Sequence, residues 1–405
     1  MNSPRLSKEL HTLDRVPPVT FALLPALVLL ASACPSPEAD PASPSRETRP
    51  AEAGTAEAGT AKAGTTSSKR ARDERPVRLL PLAGPLSNAD AEVSGLAWHG
   101  SDLILLPQHP FRMADAHEPD AHGPDADEPG TLFALARDSI DAFLSGRRDG
   151  PLRPRPVTLL APALEERSPT YDGCEALAFH QDRAYLATEA VADPATGAMR
   201  GFLFGGALRD DTLRLDTRRR ARLPPQTEAH NMAYEALLAA PSGRVTALYE
   251  ANGRNVNAHP RAHVFSPTLK RLRQLPFPPL EYRLTDATAL DADGRFWVSN
   301  YFFPGEREKL KPAPDPLARN AEPHSALSPP KRTNPVERLV AFRMSEGRIE
   351  RTSAPPLYLS LRPGTPRNWE GLARLRRPAR PSGFLLATEQ YPKTLLGFVS
   401  AEDVK

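Results

Sequence analysis

Residues 174–179 read Cys-Glu-Ala-Leu-Ala-Phe, and residues 369–374 read Trp-Glu-Gly-Leu-Ala-Arg. Three further stretches carry the same pattern: Val93-Ser-Gly-Leu-Ala-Trp98, Tyr234-Glu-Ala-Leu-Leu-Ala239 and Thr285-Asp-Ala-Thr-Ala-Leu290. Each puts a polar residue ahead of a small residue and an apolar run. A turn follows, as in His99-Gly-Ser-Asp102 and Asp291-Ala-Asp-Gly294, and then a second apolar run. These second runs are Leu103–Leu106, Ala184–Thr188, Val245–Tyr249, Phe296–Ser299 and Phe384–Thr388. Apolar run, turn, apolar run is the pattern of a β-hairpin. Five hairpins in order make a repeat, and a repeat points to architecture more directly than any single element.

Working outward, each hairpin is followed by a third apolar run: Thr131–Ala136, Gly201–Phe204, Ala262–Phe265, Arg338–Phe342 and Leu395–Val399. A fourth comes before the next repeat: Val157–Leu160, Thr212–Leu215 or Ala221–Leu223, Leu269–Leu275 and Pro356–Leu361. The fifth unit has no fourth strand of its own, while Val77–Leu82 is left over at the start. The pattern predicts an all-β protein, a β-propeller whose ring is closed by an N-terminal strand joining the last blade. Five blades are expected, with six as the alternative if a degenerate unit lies in a loop. The 46 prolines of this 405-residue chain also speak against a helical bundle.

The polar residues that open the repeats are Ser94, Glu175, Glu235, Asp286 and Glu370. A second set ends the hairpins, Gln108, Glu189, Glu250, Asn300 and Glu389, 14 residues on in three units, 15 in another and 19 in the last. Hairpin strands are antiparallel, so both sets fall at one end. First strands line a propeller's channel, which brings the carboxylates together, and such a set repels unless cations or raised pKa values relieve it. Ca²⁺ takes six to eight oxygen ligands and suits Ser94, Glu175, Glu235, Asp286 and Glu370 as a metal set. The other reading open at this point is that they cap strand N–H groups or bridge through channel water. Glu189, Glu250 and Glu389 are the candidate catalytic residues. His109, Arg112, Arg254, Arg307 and Lys393 sit just beyond the same strand ends, as a metal-assisted phosphoester site requires. Loop arginines are also simply common among 52 Lys and Arg.

The motifs Glu92-Val-Ser-Gly-Leu96 and Trp369-Glu-Gly-Leu-Ala373 resemble those of the calcium-activated nucleotidases (apyrases). The Glu-Gly/Ala-Leu-Ala motif, with Asn231 or Asn368 upstream, is also similar to the phytase-like, esterase-like propeller family. The resemblance implies a five-bladed propeller with a central Ca²⁺ facing Ser94, Glu175, Glu235, Asp286 and Glu370. After the first hairpin the chain reads Leu106-Pro-Gln-His-Pro110, where the apyrases carry Asp-Asp-Arg-Thr-Gly. The expected function is hydrolysis of phosphate esters or related small substrates. The competing expectation is a non-catalytic module binding a protein or a glycan.

The N-terminus adds a location. Arg5, Lys8 and Arg15 precede an apolar stretch, Val16–Ala33, that ends in small residues. This is the make-up of a secretory signal peptide. Leu30-Ala-Ser-Ala-Cys34 resembles the bacterial lipobox, which implies lipidation of Cys34 and a membrane anchor. Pro35 in place of an aspartate favours the outer membrane. Residues 1–33 are then the signal, 34–75 a Pro-, Ala-, Gly- and Thr-rich tether, and 76–405 the propeller domain. A net charge of +3 is too mild for a nucleic-acid partner, and a monomer is expected. With Cys34 acylated, Cys174 stands alone as a buried strand thiol. Of two insertions, Met113–Gly130 with His117 and His122 reads as a solvated loop, and the proline-rich Pro304–Pro335 as a mobile flap or spacer.

Overall fold

A computed structural model describes residues 74–88, 91–113, 129–318, 335–360, 367–377, 382–389 and 393–401. The signal, Cys34, nearly all of the tether, nearly all of the acidic loop and half of the proline-rich insertion lie outside these residues. The described residues fall within one unit of the chain, Ala61–Lys405.

Among the described residues twenty-one strands form five groups of four positions. The first group is β2 (Val93–His99), β3 (Asp102–Pro107), β4 (Gly130–Ala136) and β5 (Arg155–Leu160). The second is β6 (Tyr171–His180), β7 (Arg183–Asp193), β8 (Ala198–Arg209) and β9 (Thr212–Leu223). The third is β10 (Ala236–Ala239), β11 (Val245–Leu248), β12 (Arg261–Phe265) and β13 (Arg271–Pro276). The fourth is β14 (Arg283–Ala287), β15 (Arg295–Phe302) and β16 (Val336–Met344), with β17 (Ile349–Arg351) and β18 (Leu357–Tyr358) both pairing with β16. The fifth is β19 (Trp369–Leu375), β20 (Gly383–Thr388), β21 (Leu396–Ser400) and, from the far end of the domain, β1 (Arg78–Leu80). Parallel pairing of β5 with β9 joins the first two groups into one eight-stranded sheet.

The inner strands neighbour one another in cyclic order, β2 beside β6, β6 beside β10, β10 beside β14, β14 beside β19, and β19 beside β2. The expected closure is present: β1 pairs antiparallel with β21, Leu79 opposite Gly397. The molecule is therefore an all-β propeller. Its core is distributed. Among the described residues five apolar clusters fill the spaces between successive groups, from Ile104, Leu132, Leu186 and Phe204 between the first two to Leu80, Leu103, Leu375 and Leu385 where the last meets the first. Each sheet thus has both faces covered by its neighbours, which is what its continuous apolar runs require. Gly371 belongs to this packing, because a Cβ there would stand 2.7 Å from Leu96 Cγ on the adjacent inner strand.

Three details differ from the sequence reading. The fourth position of the fourth group is split between β17 and β18 rather than formed by Pro356–Leu361, since prolines 355 and 356 have no N–H to donate. Thr212–Leu215 and Ala221–Leu223 are two ends of a single bulged strand, β9. A helix, α1 (Arg137–Leu144), lies between β4 and β5 with Ile140 buried beneath it. No helix among the described residues is long and apolar enough to cross a membrane. Cys174 is buried and free, and burial pushes its thiol up to about 12, so it is inert.

Leu80, 1% exposed, anchors the closing strand in the junction between last and first groups. Leu80→Ala is expected to cost about 2–5 kcal/mol of stability, read by urea unfolding. A cost near zero would mean that the ring does not depend on β1.

Candidate functional site

In four of the five inner hairpins, registers slip at one matching place: Val93/Gly95, Cys174/Ala176, Leu284/Asp286 and Trp369/Gly371. A β-bulge of this kind leaves one extra residue unpaired and re-aims its side chain. The extra residues are Ser94, Glu175, Thr285 and Glu370. In the third group Glu235 precedes the first paired residue, Ala236, and so holds the corresponding place. In the fourth group the sequence alignment is therefore one residue out. Thr285, not Asp286, is the counterpart of Glu175, and Tyr301, not Asn300, is the counterpart of Glu189 and Glu389.

The chemistry follows that register. Ser94 Oγ donates to the Cys174 carbonyl at 2.6 Å, and Thr285 Oγ1 donates to the Trp369 carbonyl at 2.5 Å. Each hydroxyl thus grips the residue just before a glutamate of the next group, Glu175 or Glu370. Asp286 is also consumed by the scaffold. Its carboxylate accepts from the N–H groups of Leu372 at 2.6 Å, Ala287 at 2.7 Å and Leu96 at 3.4 Å, tying three inner strands together. Burial pushes its carboxyl up, and those three donors pull against the rise. Asn300 bonds the carbonyls of Glu281 and Arg283 and is structural.

Six glutamates make up the chamber at this end of the channel: Glu175, Glu235 and Glu370 from the inner strands, and Glu189, Glu250 and Glu389 from the ends of the second strands. All are buried or nearly so. Desolvation, with mutual repulsion, holds the carboxyls of Glu175, Glu235 and Glu370 well above the usual range. Glu189 is pushed up to about 8 by burial and then by Glu250 and Asp172. Hydrogen bonds link Glu175 with Glu189 and Glu370 with Glu389, and each such pair needs a shared proton. Gln108 donates to Glu175 Oε1 at 3.3 Å, and Asn368 donates to Glu370 Oε1 at 2.6 Å and Glu389 Oε2 at 3.2 Å. Two buried oxygens, Glu235 Oε2 and Glu250 Oε2, have no hydrogen-bond partner.

The cation of the chamber is Arg283, which the sequence reading did not single out. It pairs with Glu250, with Glu370 at 3.1 Å, and more loosely with Glu306 at 3.9 Å. Lys309 reaches Glu306 at 3.4 Å from just outside. Of the expected basic ring, His109 and Arg254 have other partners. His109 faces Glu92 at 3.6 Å, with its imidazole held below the usual range by burial and by Arg112, and the Arg254 N–H donates to Glu281. The signal for Arg283 was its position, a basic residue on an inner strand three before Asp286. Among the described residues no three His, Cys, Asp or Glu side chains are arranged around a common metal position.

Below the carboxyls the channel narrows to a collar of Leu96, Leu177, Leu237 and Leu372, with Ala287 as its fifth member.

No protein-family model matches this sequence, and no curated protein does. Solved structures that it resembles include a soluble aldose sugar dehydrogenase from Escherichia coli in its apo form, 12% identical over 80% of this chain and 99% of that one, with a TM-score of 0.37. An exo-1,5-alpha-L-arabinanase from a bovine ruminal metagenomic library is 9% identical over 77% and 93%, with a TM-score of 0.41. A GH43_1 enzyme from Xanthomonas citri is 11% identical over 83% and 94%, with a TM-score of 0.42. At these values no activity carries over. Fold and site define a β-propeller with a buried acidic chamber at one end of its channel.

Two outcomes are expected. Glu189 holds its proton from its usual 4.5 up to about 8 when folded, so the folded state binds more protons than the unfolded one across that window. Stability of the metal-free protein should therefore fall as pH rises from about 4.5 to 8, read as a declining melting temperature. A flat profile would mean that the chamber is solvated. Arg283→Gln strands two buried carboxylates and should cost about 3–5 kcal/mol at pH 8, less at pH 5 where they can take up protons.

Proposed function

We propose that this chain is a lipid-anchored cell-envelope propeller whose acidic chamber binds Ca²⁺ and hydrolyses phosphate esters or related small substrates. The supporting observation is the charge balance: among the described residues six carboxyls, five of them buried, surround the Arg283 guanidinium, and Glu235 Oε2 and Glu250 Oε2 lie buried with no donor. An all-oxygen donor set with unsatisfied lone pairs fits a hard divalent cation. Glu175, Glu235, Glu370 and Glu250 are the residues to hold it, while Ser94 and Asp286 serve the scaffold. When bound, the ion supplies positive charge at the phosphoryl oxygen. Glu189, protonated near neutral pH, is placed to give a proton to a leaving group and take one back. Glu389 shares the proton of Glu370, and the Arg283 guanidinium opposes the rise that burial imposes on the Glu250 and Glu370 carboxyls. Acylated Cys34 and the 34–75 tether would hold the domain at the outer membrane.

A non-catalytic reading draws on a different observation. Ser94, Thr285 and Asp286 are spent on pinning strands, so the polar ring also serves to fasten the propeller, leaving the rim loops to bind a protein or a glycan.

Calorimetric titration with Ca²⁺, with melting temperatures in ion and in chelator, tests the first part. Saturable binding with a raised melting temperature is expected, and no binding would remove the ion from the proposal. Hydrolysis of phenyl phosphate and its bis-ester, whose basic phenolate leaving group needs a proton, tests the second. Glu189→Gln should lower the rate at least a hundredfold with a melting temperature no lower than that of the parent chain. A variant that keeps its rate would move the chemistry out of this chamber.

A further inference from the structure

The opposite end of the channel has a different chemistry. Beneath the leucine collar opens a cavity of about 310 Å³, separate from the glutamates. That volume is at the lower edge of the range for small-molecule sites, about 300–1,000 Å³, which are mostly apolar with a few placed polar groups. The collar leucines form its floor. Trp98, Phe179 and Leu290, each only half-buried, form its walls.

These walls are fixed in place. The Trp98 indole N–H donates to the Arg374 carbonyl at 2.9 Å, and the Arg137 guanidinium lies 4.0 Å over the Trp98 ring. Arg137 in turn donates to the Arg376 carbonyl at 3.3 Å. An aromatic plate is thereby held at the rim of an apolar cup, tied at its edge and stacked on one face.

The rim is cationic. Arg137, Arg374 and Arg376 border the cavity, and the carboxylate among its lining residues is Asp291, 3.7 Å from Arg374. Arg374 is half-buried, and burial together with Arg376 and Arg295 lowers its proton affinity, so it gains from a further anion. Half-buried apolar side chains under an excess of guanidinium charge complement one class of ligand.

We propose that this mouth binds a compact organic anion, an aryl or short alkyl carboxylate, with its apolar body on Trp98 and the collar and its carboxylate at Arg374 and Arg376. The site is independent of the acidic chamber and of any reaction there. Trp297 and Trp369 are buried, so the half-buried Trp98 is the tryptophan that a ligand in this cavity can reach.

The test titrates the purified full chain with phenylacetate, phenylacetamide and phenethylamine, following tryptophan fluorescence and heat. Saturable binding of phenylacetate is expected, at least tenfold tighter than the neutral amide, with none of the amine. Arg374→Gln should remove the preference for the anion. Arg376→Gln, at an exposed position, should weaken it severalfold without touching the fold. Ala239→Trp, which fills the cup, should abolish binding of both. Chelator should leave the affinity unchanged. Absence of saturation, equal affinity for amide and carboxylate, or binding untouched by both arginine substitutions would overturn the proposal. Binding that disappears in chelator would place the ligand in the chamber and overturn it as well.

Discussion

The inner strands of this propeller stand side by side in a ring without sharing a common ladder, so something other than sheet pairing must set their relative height. Side-chain to backbone hydrogen bonds across the gaps do this. Ser94 grips the carbonyl of Cys174, Thr285 grips that of Trp369, and Asp286 collects N–H groups from β2 and β19 as well as its own strand. Each tie lies at or beside a β-bulge, where the extra residue turns a polar side chain toward the neighbouring strand instead of into its own sheet. The apolar clusters between groups then pack on a frame whose vertical register is already fixed.

That frame delivers six glutamates to one buried space, and the consequences are electrostatic. Burial alone drives every one of these carboxyls toward the protonated form, and mutual repulsion adds to it. Arg283, the two proton-sharing pairs and the amides of Gln108 and Asn368 relieve part of the strain. Two oxygens remain without a donor. The leucines of the collar line the channel between the chamber and the opposite mouth. The same collar is the floor of the opposite mouth, whose rim is arginine rather than glutamate. One ring of apolar residues thus separates two compartments of opposite charge.

Much of this was legible in the repeat. The recurrence of Glu-Ala-Leu and Glu-Gly-Leu marked the inner strands, and Glu175, Glu235 and Glu370 converge as their spacing suggested. Glu189, Glu250 and Glu389 join them because the strands of each hairpin are antiparallel. Arg283 escaped notice since its one cue, a basic residue on an inner strand, is weak in a chain rich in arginine. It becomes special only when Glu250 from the previous group and Glu370 from the next close on it. The helix Arg137–Leu144 also gave too short a pattern to stand out, although it carries one arginine of the opposite mouth.

By itself the sequence pointed to the kind of architecture, since a closed ring buries both faces of five short sheets repeated with that regularity, and the spare strand at Val77–Leu82 had one free edge to fill. It also determined which end of each hairpin is polar. Which polar residue does what was decided by tertiary structure. A bulge adds one residue to a strand, and because side chains alternate with a period of two, a slip of one residue exchanges the faces. That exchange makes Thr285 the equivalent of Ser94 and gives Asp286 to the backbone. It leaves the glutamates of the other groups facing one another across a channel whose existence no local stretch of sequence records.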